Sequence, residues 1–278
     1  GLAYFANNDG VLEFDGQRWR LYPMPGGIVV RSVKATDDGR IYAGGFNQIG
    51  FFAPDERGKL NYNSLQQLVP NAHKDYGEVW KIYELPYGIV FQSYEQLMIY
   101  QDNKINIIPA PGTFHFSYLV NNELYINDQE EGLHRLAHDR LIKIPGTDPL
   151  RGKLIWSMLP RGDNILIATA DEGVYEFDGL KLKEWDNPAS KIFKQSQIYC
   201  GLTIQENVYA FGTIQDGLII CDGSGNVIQH INIDKGLQNN TILSIDTDQY
   251  GNIWLGEDNG LDYVEINSPL TYFTHFNS

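Results

Sequence analysis

A unit that recurs seven times narrows the folds open to this chain more than any other feature. Its clearest copy is residues 242–264, ILSIDTDQYGNIWLGEDNGLDYV, with an apolar run at 242–245, a polar turn at 246–252 carrying Gly251, a second apolar run at 253–255, and a turn ending at Gly260 before 261–264. Short apolar runs broken by Gly, Asn and Asp read as β-strands joined by tight turns. The glycine that opens the third strand recurs at Gly10, Gly50, Gly132, Gly173, Gly217 and Gly260, with Gln96 in its place in one unit, so neighbours lie 40, 46, 36, 41, 44 and 43 residues apart. Six to eight residues earlier runs a second column: Tyr4, Tyr42, Val90, Tyr125, Leu166, Tyr209 and Trp254. Strands at this period, with no amphipathic helix between them, match four-stranded propeller blades of about 40–45 residues. The fold class expected is all-β, a seven-bladed β-propeller in a single domain, 1–278, with blades at about 1–25, 28–70, 78–110, 114–149, 153–190, 196–236 and 240–276.

The fuller copy at 236–264, GLQNNTILSIDTDQYGNIWLGEDNGLDYV, resembles the two-component regulator propeller repeat. It carries that repeat's GL-x-x-N lead, apolar strand, D-x-x-G-N turn, I-W-h-G strand and N-G-L third strand. The first copy, LAYFANNDGVLEFDGQRW at 2–19, resembles the opening blade of the triple-tyrosine regulators of Bacteroidetes-type bacteria. Val90, Leu166 and Gln96 are departures from the pattern. The resemblance implies an extracytoplasmic, periplasmic ligand-sensing propeller of a transmembrane signalling or transcription regulator. A triple-tyrosine domain, a membrane span and a cytoplasmic kinase or DNA-binding output would follow it. None of these lies within the 278 residues, and a mature or excerpted region is expected.

Charge sets limits on partners. A net charge of −14 and a pI near 4.7 oppose contact with a phosphate backbone or an anionic membrane face, so no direct nucleic-acid partner is expected. No run of about 18 apolar residues marks a membrane helix, and the chain does not open on a charged segment followed by an apolar one. Cys200 falls in an innermost strand and Cys221 ends a third strand. With one strand between them they lie roughly 9–10 Å apart, beyond the limit of about 7 Å for a disulfide, so both read as buried small hydrophobes.

Residues 1–25 supply strands B, C and D of a first blade that lacks its inner strand A. Later inner strands are expected at 30–33, 79–82, 115–118, 155–158, 198–201 and 242–245, where a small residue recurs at Ser32, Ser117, Ser157, Cys200 and Ser244, with Lys81 the exception. Inner strands converge on an axis and leave room for small side chains only. The C–D turns carry Asp15, Asp55, Asp102, Asp139, Asp178 and Asp222, a residue type suited to tight turns. Strand D alternates apolar and basic residues, as at 180–183, which discourages edge-to-edge pairing. A last strand is expected near 270–276, with blades seven and one meeting by side-chain packing instead of a shared sheet.

Asp246, Asp248, Gly251, Ile253 and Glu257 match calcium-loop places 1, 3, 6, 8 and 12. Tyr250 stands at place 5, however, and an extended 253–255 carries Glu257 away, so an ordinary A–B turn and no metal are expected. Nucleophile elbow, zinc spacing and phosphate loop are all missing from the sequence; no cofactor or catalytic residue is assigned, and the expectation is a protein without enzymatic activity. The D–A and B–C loops of a propeller open at one end. There the B–C turns bring Asp128, Asp171 and Asp216, and the inner-strand entries bring Arg31, Trp80, Lys81, His115, Trp156 and Tyr199. Aromatic faces beside carboxylates suit a small-molecule or oligosaccharide ligand, since a sugar's C–H face stacks on a ring while its hydroxyls take hydrogen bonds. Asx residues before glycine also form turns for backbone reasons alone. Two rival functions stand beside the sensor: a protein-interaction or dimerisation scaffold within the receptor, and a propeller polysaccharide lyase or glycosidase.

Overall fold

The computed structural model describes residues 2–266, which form seven consecutive antiparallel sheets, the blades of an all-β propeller. Blade one has three strands, Ala3–Asn7, Gly10–Phe14 and Trp19–Tyr22, which correspond to B, C and D of the repeat. Strands A to D of blade two are Val30–Ala35, Ile41–Gly45, Gln48–Pro54 and Leu60–Ser64. Blade three has Lys81–Leu85, Gly88–Gln92, Gln96–Gln101 and Lys104–Pro109. Blade four has Phe114–Val120, Glu123–Asp128, Gly132–Ala137 and Arg140–Lys143. Blade five has Ile155–Arg161, Asn164–Thr169, Val174–Phe177 and Leu182–Glu184, and blade six Ile198–Gln205, Val208–Thr213, Leu218–Asp222 and Val227–Ile231. Blade seven shows A, B and C at Ile242–Thr247, Ile253–Glu257 and Gly260–Val264. The strand expected near 270–276 lies outside the described residues. Contacts divide the chain into two compact units, Gly1–Ile144 with blades one to four and Pro145–Ser278 with blades five to seven.

Successive residues of a strand point to opposite faces, and strand B is buried on both. In the first unit Ile41 and Ala43 pack with Val11 and Met24, while Tyr42 between them packs with Ile82, Ile89, Phe91 and Met98 of blade three. Val90 of blade three turns the other way, to Leu124, Ile126 and Leu136 of blade four. In the second unit Tyr209 and Phe211 join Leu166, Ala168 and Val174 of blade five, and Ala210 joins Ile242, Ile253 and Leu255 of blade seven. Blades approach closely enough to demand glycine. A Cβ on Gly44 would sit 2.5 Å from Val79 Cγ1, and one on Gly212 would sit 2.7 Å from Ile242 Cγ2. The small inner-strand residues add polar links: Ser32 Oγ donates to the Val79 carbonyl at 2.7 Å, and Cys200 Sγ to the Ile242 carbonyl at 3.6 Å.

Much of the acidity belongs to the turns. Asp15 Oδ1 accepts from the Gln17 and Arg18 amides, Asp55 from Arg57 and Lys59, Asp178 from Leu180 and Lys181, and Asp222 from Ser224 and Asn226. These bonds, preceded at Asp222 by one from the Asn226 side-chain amide, hold all four carboxyls below their ordinary value of 3.8. The positive φ that a tight turn needs sits on Gly16 and Gly179 after two of them, on Asp102 and Asn103 themselves in blade three, and on Gly225 in blade six.

Several expectations are corrected. A helix, Ser190–Ser196, occupies the connection between blades five and six and buries Phe193 against Phe211, their rings 4.8 Å apart. Seven residues make too few turns for a 3.6-residue period to register. Strand A of blade three begins at Lys81, although the Trp80 amide already donates to the Gln92 carbonyl at 2.8 Å. Gly50 lies inside its strand, and Gly173 and Gly217 stand one residue before theirs. Cys221 is fully buried but Cys200 is half-buried, and neither forms a disulfide. Tyr42 and Tyr209 are buried, whereas Tyr125 and Trp254 are half-buried. Trp254 packs on Tyr263, which is itself 40% exposed, so the indole is covered on that side by a ring at the surface. Tyr209→Ala is therefore expected to cost about 3–5 kcal/mol of stability and Trp254→Ala clearly less. Equal losses in urea unfolding would contradict this difference in burial.

Candidate functional site

The D–A and B–C loops share one end of the blades, because their backbones are bonded to each other. The amides of Gln129, Ala170, Ile214 and Asp258, in B–C turns, donate to the carbonyls of Thr113, Leu154, Gln197 and Thr241 in D–A connections. In the first unit the long connection at 65–80 is held by Asn47. Its Oδ1 accepts from the Tyr76 and Gly77 amides at 2.8 and 2.7 Å, and its Nδ2 donates to Asp75 Oδ1 at 3.1 Å. Tyr76 anchors the connection from inside: its ring is buried and its hydroxyl donates to Gln66 Oε1 at 2.6 Å.

This anchoring places Glu78 and Trp80 beside strand A of blade two. Arg31 Nε lies 3.4 Å from Glu78 Oε1, and the guanidinium sits 5.5 Å from the Trp80 ring centroid. The other neighbour of Trp80 is Tyr94, stacked at 5.4 Å and 28°, with Phe116 edge-on at 5.9 Å. Glu78 Oε2 and the Trp80 indole N–H are shielded from solvent and have no hydrogen-bond partner, so one acceptor and one donor are left unsatisfied at this point. Next to them is a cavity of about 360 Å³ lined by Asp75, Tyr76, Gly77, Glu78, Tyr94 and Glu95.

Of the other residues expected here in the first unit, Lys81 Nζ lies 5.2 Å from the Phe116 ring centroid. His115 is buried, with its ring 4.4 Å from that of Phe116. Asp128 is not on a rim. It is fully buried, with Oδ1 accepting from the Glu130 and Glu131 amides and Oδ2 from the Gly112 amide at 2.9 Å, so it shapes its turn. In the second unit Trp156 and Tyr199 stack at 4.1 Å and 27°. Asp171 is exposed, and Asp216 is engaged by Ser196 Oγ at 3.3 Å and His230 Nε2 at 3.1 Å. Beside Asp171, Glu172 bonds both Lys153 and the Tyr175 hydroxyl, and the Lys153 bond is the main cause that lowers its carboxyl.

Sequence reading missed Asp75 and Glu78, which belong to no repeated column. The available signal was the length of the connection that carries them, the longest in the chain. At the suspected calcium turn, Asp248 Oδ1 accepts from the Tyr250 and Asn252 amides and Oδ2 from the Tyr263 hydroxyl, while Glu257 stands at the far end of strand B, paired with Gly260. The turn uses that carboxylate itself.

No protein-family model matches the sequence, and no curated protein is matched by it. Solved structures share its fold. The extracellular domain of BT4673 from B. thetaiotaomicron, described as a hybrid two component system, superposes with a TM-score of 0.74 at 20% identity over 96% of this chain and 37% of that one. This chain thus spans little more than a third of that domain. A virginiamycin B lyase from Staphylococcus aureus gives 0.72 at 14% identity over 92% of this chain and 88% of the lyase. The WD40 propeller domain of Doa1 gives 0.70 at 14% over 94% and 87%.

Glu257 is the acid at this end whose ionisation the fold resists. It is buried, and burial first, then the Asp262 carboxyl beside it, pushes it up to about 8 from an ordinary 4.5. Asp262 is itself fixed by Gln238, whose amide donates to Oδ2 and whose Nε2 donates to Oδ1, both at 2.8 Å. An acid whose folded value is raised contributes stability at low pH that is lost as the pH climbs through the window between the two values, here from 4.5 to about 8. Glu257→Gln is expected to leave the melting temperature near that of the parent at about pH 5 and to raise it at about pH 9. A melting difference between the two proteins that stays constant across that range would contradict the assignment.

Proposed function

We propose that the chain is the ligand-sensing propeller of an extracytoplasmic, periplasmic receptor region, and that its ligand, a small glycan fragment, binds at the D–A/B–C end of the first unit. The observation that carries this reading is the Arg31–Glu78–Trp80–Tyr94 constellation beside the cavity of about 360 Å³. Pockets of some 300–1,000 Å³ with aromatic walls and a few convergent polar groups are the usual form of small-molecule sites. Tyr94 lines the cavity with Trp80 stacked against it and offers a ring to the C–H side of a sugar, and Asp75, Glu78 and Glu95 offer acceptors to its hydroxyls.

The repeat's resemblance to two-component regulator propellers and the likeness to the extracellular domain of BT4673 support the receptor setting. The partners would be the remainder of such a receptor and a second copy of the chain. Among the described residues no helix is long and apolar enough to cross a membrane. The likeness to lyases is one of fold at 14% identity and brings no catalytic residue to this chain.

The test is a thermal-shift screen against soluble oligosaccharides on the parent and on Trp80→Ala. A ligand at a hundredfold excess over its Kd stabilises by about 2.7 kcal/mol, and the shift is expected to vanish in Trp80→Ala and to change little with salt, since the ligand is uncharged. A shift that survives Trp80→Ala, steep salt dependence, or shortening of the oligosaccharide during the assay would each count against the reading.

A further inference from the structure

We propose a second ligand site, at the opposite end of the blades: the cleft between blades three and four binds a neutral sugar ring. It is a cavity of about 410 Å³ lined by Tyr87, Ile99, Gln101, Asp102, Lys104, Asn106, His138 and Asp139, all within the first unit. Tyr87 sits in the A–B turn of blade three, and Asp102, His138 and Asp139 in the C–D turns of blades three and four. These turns lie at the end of the strands away from Tyr94 and Glu78.

The cleft follows from how the two blades pack. Facing side chains fill the gap where the sheets are close: Leu97, Ile99 and Ile108 of blade three meet Leu124, Leu136 and Leu141 of blade four. On that same face of blade three the register pairs Ile99 with Asn106 and Gln101 with Lys104. Toward the C–D turn the face therefore changes from apolar to amide and amine, and His138 and Asp139 border the space from blade four.

An aromatic platform closes one side. The Tyr87 and His138 rings stack at 5.5 Å and 19°, with His138 held in the left-handed region at φ 56°. Apolar floor, aromatic slab and the two planar amides of Gln101 and Asn106 together match a pyranose, which presents an apolar C–H face and a rim of hydroxyls able both to donate and to accept. Two carboxylates, Asp102 and Asp139, against the single ammonium of Lys104 disfavour an anionic sugar and leave a neutral one as the fitting class. A cavity of this size lies in the range of small-ligand pockets. The proposal stands apart from the constellation around Trp80, because the two sites share no residue.

Saturation-transfer NMR with maltose, cellobiose, lactose and chitobiose, with the His138 imidazole resonances as reporter, tests the proposal. At least one disaccharide is expected to give transfer and to move the His138 signals. Its affinity should fall roughly tenfold in Tyr87→Ala through lost stacking and about threefold in Asn106→Ala through one lost hydrogen bond. His138→Ala, at an exposed turn, removes the other ring of the platform and should likewise weaken binding. No transfer from any of the four sugars, or transfer that persists unchanged in Tyr87→Ala and His138→Ala, would overturn the proposal. Transfer abolished by Trp80→Ala alone would place the sugar at the other end, overturning the cleft while leaving the first site intact.

Discussion

Face-to-face packing of neighbouring sheets is the interaction on which everything else depends. A four-stranded sheet of this size has no core of its own, and strand B of a blade is stable only because both its faces are covered. Tyr42 and Ile41 divide between two neighbours, as do Tyr209 and Ala210. Gly44 and Gly212 mark how closely the sheets come, since the methyl group of an alanine there would overlap Val79 or Ile242. Burial of this kind fixes the strands and leaves the turns at either end free to differ, so recognition groups collect there.

The two ends use their acids differently. Aspartates in the C–D turns accept backbone amides and keep their charge on the turn, as Asp15, Asp55, Asp178 and Asp222 do. Asp128, at the other end, is consumed in the same way. Part of the net charge of −14 is thus backbone chemistry. Asp75, Glu78 and Glu95 differ because they line a cavity beside aromatic rings, and Glu78 keeps one oxygen without a partner. An unsatisfied acceptor next to a stacked pair of rings is a feature that turn formation does not explain.

The repeat made most of the fold legible. Spacing alone located seven sheets, the strand B column and the three-stranded first blade, because hairpin-linked strands of fixed length leave a period in the sequence. What the period cannot contain is what each blade adds for itself. The helix at Ser190–Ser196 is too short to show periodicity. In the candidate site, Arg31 and Trp80 were legible as bulky residues at inner-strand entries, and the structure brings them together. Glu78 and Asp75 were not, because the connection carrying them is placed by Asn47, about 30 residues away in sequence, through tertiary hydrogen bonds to Asp75, Tyr76 and Gly77. Asp128 was misread for the converse reason: a carboxylate before a turn looks the same in sequence whether it faces a ligand or its own backbone.

Hydrogen–deuterium exchange on the parent chain, with and without the best-stabilising oligosaccharide, tests the central claim most directly. If the ligand seats at the end of the blades that carries Asp75, Glu78, Trp80 and Tyr94, amides in peptides covering residues 75–81 and 93–96 should exchange more slowly on binding while those of the outer edge strands stay unchanged. Protection confined to the edge strands, or no change at 75–81 and 93–96 under saturating ligand, would contradict it.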